Sequence, residues 1–182
     1  MTVDRTNAPL LGTVLLLSAA CGAQPESAGT PPADQLVMEL LATAIQEADT
    51  AVIVDLFRPE ATYDDFAGQH TYEGVQEIVG YLTGSHQWGD DISMRLGQVH
   101  TGPGVIVGEW LFSAVQSRPI GDRVPVGTGR EVVLNGVTIL ELAGQRIIRA
   151  ADYTDNAPLA LQLGGRIEFP GGGVLELDGP GN

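Results

Sequence analysis

Two carboxylates, Asp152 and Asp155, stand at the end of a predicted β-hairpin and are the residues best placed to do chemistry. A mostly apolar strand at 137–142 meets a turn at 143–145, and a second strand at 146–151 leads directly to Asp152. A carboxylate in this position is either solvated at a sheet edge or directed into a cavity. In a cavity it loses hydration, which raises its pKa and suits it to general acid or general base catalysis.

Strand alternation predicts which residues share a face with Asp152. One face would carry Ile148, Ala150 and Asp152, a set that suits an enclosed lining, and the other would carry Arg149, Ala151 and Tyr153. The alternative is a structural carboxylate that accepts backbone N–H groups or pairs with Arg149 or Arg146. Asp155 is instead expected to be the N-cap of a helical turn within 156–163, because Asp is a favoured cap and Pro158 suits an early helical position.

The elements that must position these acids change type halfway along the chain. The first half predicts helices and the second half predicts strands separated by turn signals. The predicted order is helices at 36–48 and 51–57, with Thr50 capping the second and Pro59 ending it, a strand at 60–65, a polar loop at 66–73, a helix at 74–83, and strands at 92–101, 105–116, 131–142 and 145–153. This order indicates an α+β fold, in which a curved, mostly antiparallel sheet wraps on the N-terminal helices as a cone-shaped barrel. A pocket would form at its open end.

The N-terminal segment is predicted to direct export rather than to fold with the domain. Residues 1–20 have an apolar run that ends in LSAAC at Cys21, which resembles a bacterial lipoprotein signal. The resemblance implies cleavage before Cys21 and its lipidation, which would anchor the protein to the cell membrane. The alternative is an ordinary secretory signal, with Cys21 removed or free and the protein extracellular. Residues 22–33 are expected to be a flexible tether, 34–163 the domain, and 164–182 a Gly-rich tail that adds an edge strand or stays loose.

Charge and composition exclude several classes of function. The formal net charge is −14, with 23 acidic residues against 9 basic ones, so binding to nucleic acid is not expected. Cys21 is the only cysteine, and no two of the three histidines have a metal-ligand spacing. No Gly-rich phosphate loop follows a strand. We therefore expect neither a metal nor a cofactor.

Three segments resemble the SnoaL-like group of the nuclear transport factor 2-like superfamily, across about residues 34–163. They are LFRPEATYDD after the second helix, YEGVQEIVGYL as the third helix, and NGVTILELAGQRIIRAADYTD as the closing hairpin with its DYxD ending. The group includes polyketide cyclases, and limonene epoxide hydrolases and ketosteroid isomerases are relatives. The fold hosts enzymes, binding modules and scaffolds, so the resemblance predicts the fold more firmly than the activity.

The resemblance also implies candidate site residues. The acid that performs acid–base chemistry on the last strand of the cyclases and epoxide hydrolases matches Asp152. Tyr63 lies where the first strand of the family reaches the pocket. The epoxide hydrolases also need an Arg and a second Asp on an earlier strand, where this chain offers only Glu109. Ala151 replaces an arginine common before their DYxD ending. We therefore take Tyr63 and Glu109 as candidates that orient Asp152 or its substrate, and epoxide hydrolysis is disfavoured.

Two functions follow as hypotheses, and the sequence leaves open whether the protein is an enzyme. The first is an exported, membrane-tethered domain that binds a small apolar or amphipathic molecule in its conical pocket without catalysis. The second is a cofactor-independent isomerase, cyclase or epoxide hydrolase that uses Asp152 as its general acid or base. Relatives often form dimers through the outer sheet face, where Trp110 and Phe112 would form an apolar interface.

Overall fold

A computed structural model of the chain describes residues 33–176, so the predicted signal, Cys21 and most of the tether lie outside it. Four α-helices are α1 (Ala33–Glu47), α2 (Thr50–Leu56), α3 (Val75–Leu82) and α4 (Ala157–Gln162), and a 3-10 helix spans Gly84–Gln87. The strands are β1 (Phe57–Asp65), β2 (His70–Glu73), β3 (Gly89–Gly102), β4 (Val105–Gln116), β5 (Arg130–Ala143), β6 (Arg146–Thr154), β7 (Ile167–Glu168) and β8 (Val174–Leu175). No helix in this part of the chain is long and apolar enough to cross a membrane.

Six strands form one curved sheet in the order β2-β1-β6-β5-β4-β3. All neighbours are antiparallel except β1 and β6, which run parallel. The predicted α+β class and cone fold are confirmed, although the sheet is not a closed barrel. β2 forms one edge and β3 the other, so the two edges stand apart with β6 near the middle of the sheet.

The main hydrophobic core lies between the helices and the sheet. It joins the buried face of α1 to α2, α3 and the inner residues of β1, β4, β5 and β6. Met38, Leu41 and Ile45 are the centre of the buried face of α1. Leu36 and Leu40, two further leucines of this helix, are exposed. The helix packs along the 38–41–45 line, which leaves those two leucines to one side.

The first strand begins earlier than the sequence predicted. Asp49, and not Thr50, caps α2, because its carboxylate accepts the N–H groups of Ala51 and Val52. The helix ends at Leu56, and Pro59 lies inside β1 rather than ending the helix. The predicted loop at 66–73 contains β2, which pairs with β1 through residues 62–65. These short polar segments carry little apolar periodicity, so their pairing depends on tertiary contacts.

A β-bulge at Ile148 breaks the alternation predicted for the closing hairpin. Glu141 pairs with Arg149 and Leu142 pairs with Ile147, so Ile148 has no partner and is exposed. Ile147 enters the core in its place. The prediction that Ile148 shares the inner face was therefore wrong. Alternation resumes after the bulge, and Ala150 and Asp152 are buried.

Two short segments follow β6. The first N–H of α4, that of Ala157, bonds to the Asp155 carboxylate at 2.9 Å, although the capping position itself is Asn156. The prediction that Asp155 is the N-cap was therefore wrong by one position, although its carboxylate does accept the first N–H of the helix. In the tail, β7 and β8 pair only with each other, as a two-stranded ladder separate from the main sheet.

Candidate functional site

Asp152 lies on the inner face of the sheet, between two polar neighbours in the same row. It is level with Thr138 on β5 and, across the parallel ladder, with Asp65 on β1. Only 8% of Asp152 is exposed. The ladder places Cα atoms of adjacent strands roughly 5 Å apart. Of the two positions that the sequence left open for Asp152, the structure has the buried one.

A chain of hydrogen bonds holds the Asp152 carboxylate. The indole Nε1–H of Trp110 donates to Thr138 Oγ1 at 2.8 Å, and the Thr138 hydroxyl donates to Oδ1 of Asp152 in a short hydrogen bond. The phenol groups of Tyr63 and Tyr81 lie close to the carboxylate and lower its pKa as hydrogen-bond donors. The donors fix the orientation of the carboxylate, because each comes from a different strand or helix.

Burial raises the pKa of Asp152 to about 6. The hydrogen bonds from Thr138, Tyr63 and Tyr81 oppose this rise, and the negative charge of Asp65 adds to it. Burial and the neighbouring carboxylate raise the pKa values of Tyr63 and Tyr81, so both phenols are neutral donors at pH 7. Asp152 is therefore mostly ionised at pH 7, and its pKa lies close enough to neutral pH for it to act as a general base.

A cavity of about 950 Å³ opens beside Asp152. Its lining residues come mainly from α1, α3, the 3-10 helix and all six strands of the main sheet. The lining includes the aromatic side chains of Tyr72, Tyr81, Trp88, Trp110 and Phe112 together with Met94 and Leu134. Ser85 also lines the cavity, and its buried Oγ has no hydrogen-bond partner in the described part of the chain. The volume suits a small organic molecule.

The structure brings together two of the three candidates from the sequence. Tyr63 lies beneath Asp152, 1% exposed, and contacts its carboxylate without lining the cavity. Glu109 is exposed on the opposite face of β4 and lies beside Gly97 and Val137. The expectation that Glu109 orients Asp152 was therefore wrong. Alternation separated the two faces of β4 correctly, but it did not show which face points inward.

Trp110 and Phe112, the two residues predicted to form a dimer surface, lie on the inner face of β4. Trp110 and Phe112 are 8% and 9% exposed, and both line the cavity rather than the outer face. The indole of Trp110 lies against Gly136, its ladder partner on β5, where an added Cβ would be only 2.1 Å from the ring. A glycine at position 136 is what leaves room for the indole to reach Thr138.

Asp152 does not have the arginine partner that a structural carboxylate at this position was expected to have. Arg149 lies on the outer face and forms ion pairs with Asp64 at 2.6 Å and with Glu141 at 2.8 Å. None of the ion pairs within residues 33–176 includes Asp152. Its partners are hydroxyl groups, which leave a buried carboxylate without a counter-charge. Such a group is costly for stability and is characteristic of functional sites.

Sequence reasoning missed Thr138 and Asp65 as members of the site. Thr138 is a polar residue inside an apolar strand, two positions after Gly136, and this was the available signal. Asp65 could not be assigned because its place beside Asp152 depends on a parallel pairing between distant segments. Within residues 33–176, no group of three or more His, Cys, Asp or Glu side chains could hold a metal ion.

Comparison with known proteins identifies the class. The SnoaL-like domain family matches residues 37–150, more than half of the chain, and the match ends two residues before Asp152. The chain belongs to the SnoaL-like domain family. No curated protein matches the sequence significantly.

Solved structures with the same fold include two proteins described as candidate polyketide cyclases. One from Shewanella denitrificans has a TM-score of 0.65 at 18% identity and covers 73% of this chain and 98% of its own. IdmH from Streptomyces antibioticus has a TM-score of 0.63 at 14% identity and covers 71% and 97%. TsrD from Streptomyces laurentii has a TM-score of 0.64 at 21% identity and covers 74% and 97%. At these identities the likeness establishes the NTF2-like cone fold, and the site must be argued from its own residues.

Proposed function

We propose that this domain binds a small amphipathic carbonyl compound in its cavity and transfers a proton on it as a cofactor-independent isomerase or cyclase. The observation that carries the proposal is Asp152, a buried carboxylate with a pKa of about 6 that lines a cavity of about 950 Å³. A base of this strength is suited to removing a proton from a carbon atom next to a carbonyl group. The likeness in fold to proteins described as candidate polyketide cyclases is consistent with such a substrate.

The proposed step uses Asp152 as the base and Tyr81 as the donor. An oxygen of Asp152 takes the proton from the α-carbon, and the C–H electron pair moves into the carbonyl group to give an enolate. Asp152 is neutral once it holds the proton, so the single O–H of Tyr81, which lines the cavity, is released from the carboxyl group and donates to the enolate oxygen. Protonated Asp152 then returns the proton to a second carbon in an isomerisation. In a cyclisation the enolate carbon attacks another carbonyl of the substrate, and Asp152 protonates the new alkoxide.

Epoxide hydrolysis is not part of the proposal. Epoxide hydrolases need an arginine in the site, and this chain has none at the matching position. No arginine is among the described residues that line the cavity, so no other part of the fold replaces it. Glu109, the substitute for the second acid, lies on the outer face. Binding without catalysis remains the competing function, and it is favoured by the apolar walls that Trp88, Trp110 and Phe112 provide.

An exchange experiment with 2-tetralone, a ketone with acidic α-protons, distinguishes these functions. In D₂O at pD 7 we expect the protein to accelerate exchange of the α-protons, followed by proton NMR. Asp152→Asn should lower the protein-dependent rate about 100-fold, because general base catalysis is typically of that size or larger. Glu109→Gln is the matched control, since it removes one carboxylate from the outer face and should leave the rate unchanged.

Binding is followed in parallel by fluorescence. The chain has two tryptophans, Trp88 and Trp110, and both line the cavity, so quenching reports its occupancy. Quenching by 2-tetralone without exchange above the buffer rate would favour the binding function. Equal exchange rates for the wild type and Asp152→Asn would remove Asp152 from the chemistry.

We also propose that the domain is exported and tethered to the cell membrane through a lipid on Cys21. The sequence LSAAC and the Gly- and Pro-rich stretch at 22–33 support this. A single acyl chain binds a membrane only reversibly, so stable anchoring would need more than one chain on Cys21. Mass spectrometry of the protein from bacterial membranes tests it: the mature chain should begin at an acylated Cys21, and an unmodified chain that starts elsewhere would refute it.

A further inference from the structure

We infer that the small carbonyl compound taken by this cavity also carries an amine, with its cationic group against the acidic wall and its apolar part against the aromatic wall. The inference rests on the proposed binding role and adds the charge of the ligand. The two walls follow from the strand order. Acidic residues line the cavity along β2, β1, β6 and α3, whereas large apolar residues line it along β5, β4 and β3.

The acidic wall lacks a counter-charge from the protein. Asp65, Glu73, Glu77 and Asp152 line the cavity, and no Arg or Lys is among the described lining residues. Asp65 and Asp152 are direct ladder neighbours, and the charge of Asp65 raises the pKa of Asp152. Two adjacent carboxylates repel one another, and burial of Asp152 strengthens this interaction. A bound cation would offset the repulsion, whereas a carboxylate ligand would add to it.

The remaining polar groups at this wall do not supply the missing charge. The Asp65 carboxylate accepts the backbone N–H of Gly68 at 2.9 Å, and Glu77 accepts the N–H of Glu73 at 2.9 Å. His70, the one basic side chain of the lining, packs edge-on against Tyr72 with ring centroids 4.5 Å apart. Neutral backbone donors and one exposed histidine leave the wall strongly negative.

Aromatic rings adjoin these carboxylates and add a second attraction for a cation. Tyr72 and Tyr81 stack with centroids 4.4 Å apart, and both line the cavity beside Asp65. The charge of Asp65 raises the pKa of each of these phenols, after the larger effect of burial. Faces of tyrosine rings attract ammonium groups, and more strongly where water is excluded. Carboxylates and aromatic rings together form a site suited to an alkylammonium group.

The apolar wall accounts for the rest of the ligand. Trp88, Met94, Trp110, Phe112 and Leu134 line it, and within the described part of the chain it contains no charged group. A hydrocarbon or aromatic ring of moderate size would bury its surface there. The cavity therefore separates charge from apolar surface in the way that an amphipathic amine does.

Three compounds that share one apolar body test the inference on the full-length chain. They are 4-phenylbutylamine, 4-phenylbutanol and 4-phenylbutyrate, which at pH 7 are cationic, neutral and anionic. Quenching of Trp88 and Trp110 gives each dissociation constant. We expect the amine to bind at least 10-fold more tightly than the alcohol at low salt, and the butyrate to bind most weakly. Added salt should reduce these differences in affinity, because it screens the charges.

Two variants test whether the acidic wall causes the tighter binding of the amine. Asp65→Asn retains a side-chain oxygen for the Gly68 N–H and removes the charge, so it should weaken amine binding about 5-fold and leave alcohol binding unchanged. Glu109→Gln removes a charge of the same sign from the outer face and should change neither. A loss as large in Glu109→Gln as in Asp65→Asn would trace the preference to the net charge of the protein and overturn the inference.

The outcomes separate this inference from the proposed function. If the alcohol binds as tightly as the amine, or the butyrate binds best, the amine inference is wrong while ligand binding in the cavity stands. If none of the three compounds quenches the tryptophans at millimolar concentration, the binding role and the inference built on it both fail.

Discussion

Replacing Asp152 with asparagine is expected to make the folded protein more stable at pH 8, by about 3 kcal/mol, while removing its capacity for proton transfer. The pKa of Asp152 is raised from 3.8 to about 6, chiefly by burial. A difference of that size between the folded and unfolded chains corresponds to about 3 kcal/mol of stability lost on ionisation. The asparagine side chain would have nearly the same shape, an oxygen for the Thr138 hydroxyl, and no charge to bury.

The sign of the pH dependence follows from the raised pKa. Between pH 3.8 and about 6 the folded protein binds the proton of Asp152 more tightly than the unfolded chain does. The contribution of Asp152 to stability is therefore fully present below pH 3.8 and is lost as pH rises through 6. Groups far from residue 152 are the same in both proteins, so the difference between Asp152→Asn and the wild type reports on this carboxylate and the groups in contact with it.

Urea unfolding at several pH values measures that difference. The free energy of unfolding of Asp152→Asn should exceed that of the wild type by little at pH 4. This difference should grow as pH rises to 6 and level off at about 3 kcal/mol by pH 8. Glu109→Gln, with its side chain exposed on the outer face, is the control and should show a small difference that does not follow this profile. A variant less stable than the wild type at pH 8 would show that Asp152 is a stabilising structural residue.

Replacing Gly136 with alanine is expected to destabilise the fold by about 3 kcal/mol and to disturb the site. A Cβ at this position would lie 2.1 to 2.6 Å from three atoms of the Trp110 indole. The ring is rigid and largely buried, so it must shift away, which breaks its hydrogen bond to Thr138 and overpacks the cavity wall. Urea unfolding measures the decrease in the free energy of unfolding, and a change in tryptophan fluorescence should show that the indole of Trp110 has moved.

Gly102→Ala is the matched control for that change. Gly102 ends β3, and nothing lies within 4 Å of the Cβ that the substitution would add. Its backbone does not adopt a positive φ, so alanine should be neutral or slightly stabilising there. If Gly136→Ala were as stable as Gly102→Ala, the close contact between Trp110 and β5 would be refuted.

Much of the scaffold could be predicted because it depends on local patterns. The predicted strand at 105–116 matches β4 at both ends, and the closing hairpin lies within two residues of its predicted bounds. Alternating apolar residues and the turn at Gly144, where φ is 69°, are local properties that the sequence displays directly. The hairpin made Asp152 a candidate, but its position at the strand end left open whether it is solvated or buried.

What the sequence could not predict depends on the two faces of the sheet and on distant pairings. Both faces of β4 are rich in apolar residues, with Ile106, Trp110 and Phe112 on one and Val105, Val107 and Leu111 on the other. Period-2 alternation separates such sets without showing which is inside. Glu109 was therefore placed on the wrong side. Asp65 reaches Asp152 only through the parallel β1–β6 pairing.

The titration of Asp152 itself tests the central claim most directly. Aspartate residues labelled with ¹³C at the carboxyl carbon can be followed by NMR from pH 3 to pH 8, and the signal absent from Asp152→Asn identifies residue 152. We expect this carboxyl to titrate near pH 6, because burial in the cavity outweighs its hydrogen bonds from Thr138, Tyr63 and Tyr81. A midpoint near 3.8, the ordinary value, would contradict a proton-transfer role for Asp152.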